Sequence, residues 1–176
     1  MLAFGPLLVK SWFRGGALEL GIVSSASGIG IIAGGLFMTA WGGMKNKFVT
    51  SAIGWLGIGL AYIAVLWMPQ TAIVAYIASK VFIGFMVPVG SAPLDAWYQT
   101  LVPPDKQGRV FTVLGSLDQL IMPLGLALGG ALGGLVPLRV WWVLMGAQHA
   151  LLGISWIALP SVRKSTDGAQ AKSVAK

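Results

Sequence analysis

GIVSSASGIGIIAGGLFMTAW, residues 21–41, runs for 21 positions without one charged side chain. As a helix rising 1.5 Å per residue, such a segment covers about 30 Å, the thickness of a bilayer's hydrocarbon core. Four further stretches read the same way, at about 50–67, 71–100, 110–135 and 140–159. Residues 1–9 are apolar as well, but they cover only about half a span. Lys10 and Arg14 follow that run instead of preceding it, the wrong order for a signal peptide. The run reads as the end of a helix whose beginning is missing. The fold expected is all-α: a polytopic membrane helix bundle of five full transmembrane helices plus a partial one over residues 1–160, then a polar tail over 161–176.

Composition agrees with that reading. Of 176 residues, 56% are hydrophobic and 10% charged, and the mean hydropathy is +0.82. A soluble domain carries about a quarter charged residues, enough to coat its surface. The absence of cysteine excludes disulfide frameworks and thiolate metal sites, and one histidine and five acids leave little from which to build any other metal centre. No metal and no cofactor are expected. The net charge of +7 would suggest nucleic acid in a soluble chain. The charged loops here are short and not interleaved with aromatics as a nucleic-acid groove requires, so the partner expected is the lipid bilayer and not nucleic acid.

The basic residues report orientation. Lys45, Lys47, Lys106, Arg109, Arg163, Lys164, Lys172 and Lys176 fall on one side of a five-span topology, Lys10, Arg14 and Arg139 on the other. The positive-inside rule puts the richer side, with the C-terminus, in the cytoplasm of a cell inner membrane. Trp67, Trp141 and Trp142 then belong to the outer aromatic belt, and Trp41 and Trp97 to the inner one.

Small residues mark the packing faces. Gly30 and Gly34 form a GxxxG step, with Ser24 and Gly28 one step earlier, and Gly125, Gly129 and Gly133 repeat at the same interval. Such stripes let helix backbones approach closely. They serve either static packing or faces that slide during a conformational change. Connections of a few residues make consecutive helices antiparallel neighbours. Pro88 and Pro93, in MVPVGSAPLDAW with Gly90 and Ser91 between them, and Pro123, in LIMPLG, interrupt two spans. Membrane helices bend at such prolines, and transporters place binding sites on bent or broken helices.

Lys80 lies nine residues into its span from Thr71, and Asp118 nine residues into the next from Arg109. Each is about 13 Å deep, near the midplane. An isolated charge there costs at least about 2.5–3.5 kcal/mol, which favours pairing, neutralisation or a wet cavity. The two residues are therefore candidates for an ion pair or a proton-linked switch in the bundle interior, with Gln119 and Ser91 beside the same pathway. The competing readings are a Lys80 that extends toward the interface and an Asp118 that only bonds between helices. Gln148 and His149 are also intramembrane, and a lone histidine there reads first as an interhelical hydrogen-bonding residue. Ser24, Ser25 and Ser27 line a cavity or bond back to their own helix. No nucleophile–base pair or phosphate-cradling loop appears, so an enzyme is not expected.

SAPLDAWYQTLVPPDKQGRVFTVLGSLDQLIMPLG, residues 91–125, resembles the region joining the tenth and eleventh helices of major facilitator superfamily transporters, most of all the branch of macrolide-efflux proteins and enterobactin exporters. The VPPDKQGRVF segment is its most specific part, with Pro103, Pro104, Gly108 and Arg109. Residues 21–47 are similar to the eighth helix and its basic cytoplasmic loop, with Trp41, Lys45 and Lys47 where the family carries acidic and paired-arginine features. The resemblance implies the C-terminal six-helix half of a twelve-helix fold, a Lys80 helix lining the central cavity and an Asp118 helix at the interface with the other half. It also implies alternating access driven by proton antiport.

The function expected is thus the C-terminal portion of a secondary active transporter, exporting small amphipathic, drug-like or siderophore-like compounds with protons as coupling ion. Its partners are an N-terminal helix bundle or a second copy, and without such a half the chain is a fragment with no transport. The alternative is a non-transporting membrane scaffold or assembly subunit. A channel is a third option, which the scarcity of polar faces disfavours.

Overall fold

The computed structural model describes residues 9, 10, 13, 15–69, 71–133, 135 and 137–158. Side chains at 118, 122, 126, 128–130, 132, 133 and 138 lie outside that description, as do the expected tail over 161–176 and nearly all of the partial span over 1–9. Five long helices follow one another: α1 (Ala17–Trp41), α2 (Lys47–Val65), α3 (Ile73–Leu101), α4 (Pro104–Gly133) and α5 (Leu138–Ala158). No strand occurs among the described residues. Four of them, α1, α2, α3 and α5, are long and apolar enough to cross a membrane. The chain is an all-α, multi-pass membrane helix bundle.

Local chemistry sets the helix ends. At the start of α1 the Gly16 N–H donates to the Glu19 carboxylate at 2.6 Å, which satisfies a backbone donor the helix leaves open. The same helix stops at Gly42, whose φ of 74° lets its N–H return to the Met38 carbonyl at 2.8 Å. Asn46 then caps α2, its side-chain oxygen accepting from the Phe48 and Val49 N–H groups at 3.0 and 3.4 Å. Pro104 opens α4, where a missing N–H costs nothing. Gln107 reaches back from α4, and its Nε2 donates to the Gln99 and Val102 carbonyls at 3.0 and 3.1 Å, closing the end of α3. Helices α3 and α4 continue through Pro88, Pro93 and Pro123 without a break.

Close backbone approach decides which helices pair. The extensive contacts join α1 with α3, α2 with α3 and α2 with α5. Where α1 crosses α3, a Cβ added at Gly30 or Gly34 would run into the carbonyl oxygens of Val81 and Phe85. Gly84 returns the approach, its own added Cβ meeting the Ser27 carbonyl. Gly54 lies against the Gly90 backbone between α2 and α3, and Gly59 against Gly146 between α2 and α5. The expectation that consecutive helices are neighbours therefore holds for α2 and α3, whereas α1–α2, α3–α4 and α4–α5 share no extensive contact among the described residues. A short connection fixes opposite direction, but the small-residue face chooses the partner.

Among the described residues, helix α4 stands apart from this packing. Val113, Leu117, Leu120 and Leu124 are all exposed, and nothing lies within 4 Å of a Cβ added at Gly125. The surroundings of Gly129 and Gly133 lie outside the described residues. The core sits instead among α2, α3 and α5 with Val23 of α1, where Ile58, Val65 and Ile83 surround a group of buried aromatics.

Candidate functional site

Lys80 is the one charged side chain that is buried among the described residues, at 8% exposed. Tyr76 precedes it by four positions on α3 and so shares its helix face. Two crossings complete the surroundings: α2, brought against α3 at Gly54 and Gly90, contributes Tyr62, and α5, brought against α2 at Gly59 and Gly146, contributes Trp142. The Lys80 ammonium lies over all three rings, 5.8 Å from the Tyr62 centroid, 5.3 Å from Tyr76 and 5.3 Å from Trp142. The rings also touch one another, with Tyr62 and Trp142 centroids 5.3 Å apart and Tyr76 edge-on to Trp142 at 6.0 Å. Phe13 stacks behind Tyr76 at 5.0 Å.

These three rings form the walls of an aromatic cage around a cation. Tyr62 and Tyr76 are fully buried and Trp142 nearly so. Among the described residues no ion pair or hydrogen bond reaches the Lys80 ammonium. Among the described groups it is the negative faces of the rings that offset the charge, each contributing about 0.5–2 kcal/mol according to its desolvation. At 5.3–5.8 Å the distances sit toward the long end of effective contact, so the stabilisation rests on three rings acting together. Two hydrogen-bonding groups of the cage, the Tyr76 hydroxyl and the Trp142 indole N–H, are buried with no partner among the described residues.

A second aromatic layer lies beyond Tyr62. His149 places its ring 5.5 Å from Tyr62 and 5.7 Å from Trp55. Its Nδ1 faces the Met145 carbonyl at 2.7 Å, so Nδ1 carries a proton and donates back along its own helix. The interhelical role expected of His149 is therefore filled by ring packing, while its hydrogen bond stays within α5.

The other residues marked from the sequence contribute nothing to the cage among the described side chains. Asp118 belongs to α4, and its side chain is outside the described residues, so its pairing with Lys80 is not drawn. Gln119 and Gln148 are exposed, Ser91 is half-buried between the α3 prolines, and Ser24 and Ser25 are exposed while Ser27 is half-buried on α1. Pro103 lies in the short turn before α4, and Pro104, Gly108 and Arg109 are exposed on its first turns, where the Gly108 carbonyl accepts from the Thr112 hydroxyl at 2.7 Å. A separate cavity of about 350 Å³ opens at the other end of α1, lined by Met38, Thr39, Lys47, Thr50, Pro88 and Pro93. Sequence reasoning found Lys80 and missed its cage. Tyr76 was legible from its spacing of four, but a belt assignment for Trp142 speaks only of depth and gives no sign that its side chain is buried at 3% exposed.

Fold and site together define a multi-pass membrane bundle with a cation held inside it. Known proteins place it more narrowly. The chain is similar to "Macrolide efflux protein A" of Streptococcus pyogenes, 27% identical over 164 residues, which is 92% of this chain and 40% of that protein. It is similar to the protein of the same name from Enterococcus faecalis, 29% identical over 70% of this chain and 38% of that one. "Multidrug efflux pump Tap" of Mycolicibacterium fortuitum is 27% identical over 83% of this chain and 35% of its own length. The chain thus spans about two fifths of the length of the relatives it matches. The resemblance to the macrolide-efflux branch is met by these relatives, which are transporters in name and not enzymes. No family model matches the chain. No solved structure matches it significantly.

Proposed function

We propose that this bundle is one half of a secondary active transporter that exports small amphipathic compounds by alternating access, coupled to protons, in the cell inner membrane with its C-terminus in the cytoplasm. The observation that carries the proposal is the likeness to efflux proteins over 92% of the chain. Support from the structure comes from Lys80, since an ionisable group inside a membrane bundle marks a substrate or ion pathway by default. Alternating access rocks two bundles around a midplane site, so the chain works with a second bundle, either an N-terminal one or another copy.

A chimera tests this directly. The chain replaces the aligned segment of the Streptococcus pyogenes macrolide efflux protein, and efflux of a fluorescent amphiphile is followed in cells with and without a proton gradient. Gradient-dependent efflux is expected, falling at least tenfold in Lys80→Met and in Asp118→Asn. A chimera that inserts in the membrane at wild-type level but exports nothing would overturn the reading in favour of a non-transporting scaffold.

A further inference from the structure

The cage around Lys80 is built for a cation, and a lysine is a costly way to fill it. Replacing a buried charge by an apolar side chain of the same volume is often neutral or stabilising, and Met would fit the same space along α3. Three rings from three helices nevertheless converge on one ammonium, with centroids at 5.3, 5.3 and 5.8 Å. Ring faces attract positive charge whatever carries it, and aromatic cages are the usual recognition device for substituted ammonium groups. The walls also hold the Tyr76 hydroxyl and the Trp142 N–H without acceptors among the described residues. Lysine uses neither of these donors, because an ammonium has no lone pair to offer. A ligand that carries an ammonium together with an oxygen would use both the ring faces and a donor.

We propose that the ring triad of Tyr62, Tyr76 and Trp142 is a binding site for an amphipathic amine cation, which the Lys80 ammonium occupies as a tethered stand-in that such a cation displaces. The proposal names the cargo class of the transporter reading and rests on it for the word cargo. Binding itself does not depend on transport. The titratable groups that face Lys80 are Tyr62 from α2 and Tyr76 from its own helix, with His149 of α5 one ring further out. The stand-in leaves when Lys80 gives up its proton or swings out of the cage, and one positive charge replaces another.

The test uses the full chain purified in detergent and two variants that separate charge from space. Lys80→Ala removes the equivalent of propylammonium from the cage. Lys80→Met removes the charge and keeps the cage full. Calorimetric titration with propylammonium should show Lys80→Ala binding at least ten times more tightly than wild type or Lys80→Met at neutral pH. Lys80→Ala should also prefer propylammonium over neutral 1-propanol by at least ten times. Adding Trp142→Leu to Lys80→Ala should weaken binding about 30-fold, the loss of one desolvated ring. Tetramethylammonium binding to wild type should rise at high pH, with no such rise in Lys80→Met. A Lys80→Ala protein that unfolds is replaced by Lys80→Ser, for which the same figures hold. Equal binding by wild type, Lys80→Ala and Lys80→Met would overturn the proposal, as would a site that prefers 1-propanol or ignores the loss of Trp142. Binding as expected in a chain whose chimera exports nothing would leave this site standing and remove the transporter reading alone.

Discussion

Helices α3 and α4 carry the two polar groups that the sequence puts at equal depth, yet their surroundings differ. Lys80 on α3 is enclosed by rings from α2, α3 and α5. Asp118 lies on α4, whose Val113, Leu117, Leu120 and Leu124 are exposed and which shares no extensive contact with another described helix. What surrounds a charge is therefore set by helix crossings as well as by depth. A buried charge is tolerated where helix crossings bring groups that attract it, and those crossings are set by glycines elsewhere in the chain. The buried cation belongs to a core already assembled within this chain, whereas the described leucines and valines of α4 face outward.

That contrast can be broken by substitution on each side of it. The largest effect is expected at the cage wall. Trp142→Ala should cost about 3–5 kcal/mol in reversible detergent unfolding, the range for a large aromatic deleted from a packed core. Leu120→Ala on α4 should stay within about 0.5 kcal/mol. A comparable loss at both positions would mean that α4 is as well packed as α3. Next comes the α1–α3 crossing. Gly34→Leu should cost about 3 kcal/mol, at the upper end of overpacking because the obstacle is the Phe85 carbonyl and not a movable side chain. Gly125→Leu should leave the unfolding midpoint unchanged, since open space surrounds it.

The smallest effects belong to the turns that enter the two regions. Asn46→Ala removes the cap of α2 and should cost about 1 kcal/mol. Gln107→Ala removes bonds to the Gln99 and Val102 carbonyls that water can replace at this surface, and should cost about 0.5 kcal/mol. The same unfolding titration reads both. A reversed order would place the α3–α4 turn, and not the α1–α2 turn, among the elements that hold the core.

Much of the fold was legible because a membrane makes it so. Length and apolarity define each span, and the Gly30–Gly34 step marks a face that meets α3 as closely as backbones can. Adjacency was not legible, because loop length says nothing about which small-residue face finds which. The site divides along the same line. Lys80 announces itself as a charge inside an apolar run, and Tyr76 follows from a spacing of four. Tyr62 and Trp142 reach it only through the crossings at Gly54 with Gly90 and Gly59 with Gly146, which no local pattern encodes. Trp142 adds that a tryptophan near a span end can turn its indole into the bundle, here against Tyr62 and Tyr76.

The Lys80 ammonium is held by the ring faces of Tyr62, Tyr76 and Trp142. Nuclear magnetic resonance of the chain labelled at lysine Cε and Nζ, in lipid nanodiscs, tests this most directly. One signal, identified by its disappearance in Lys80→Met, should be displaced upfield by ring currents. It should move toward the positions of the exposed lysines in Trp142→Leu and stay in place in Asp118→Asn. A Lys80 signal that coincides with those of exposed lysines, or that moves with Asp118 and ignores Trp142, would contradict the account.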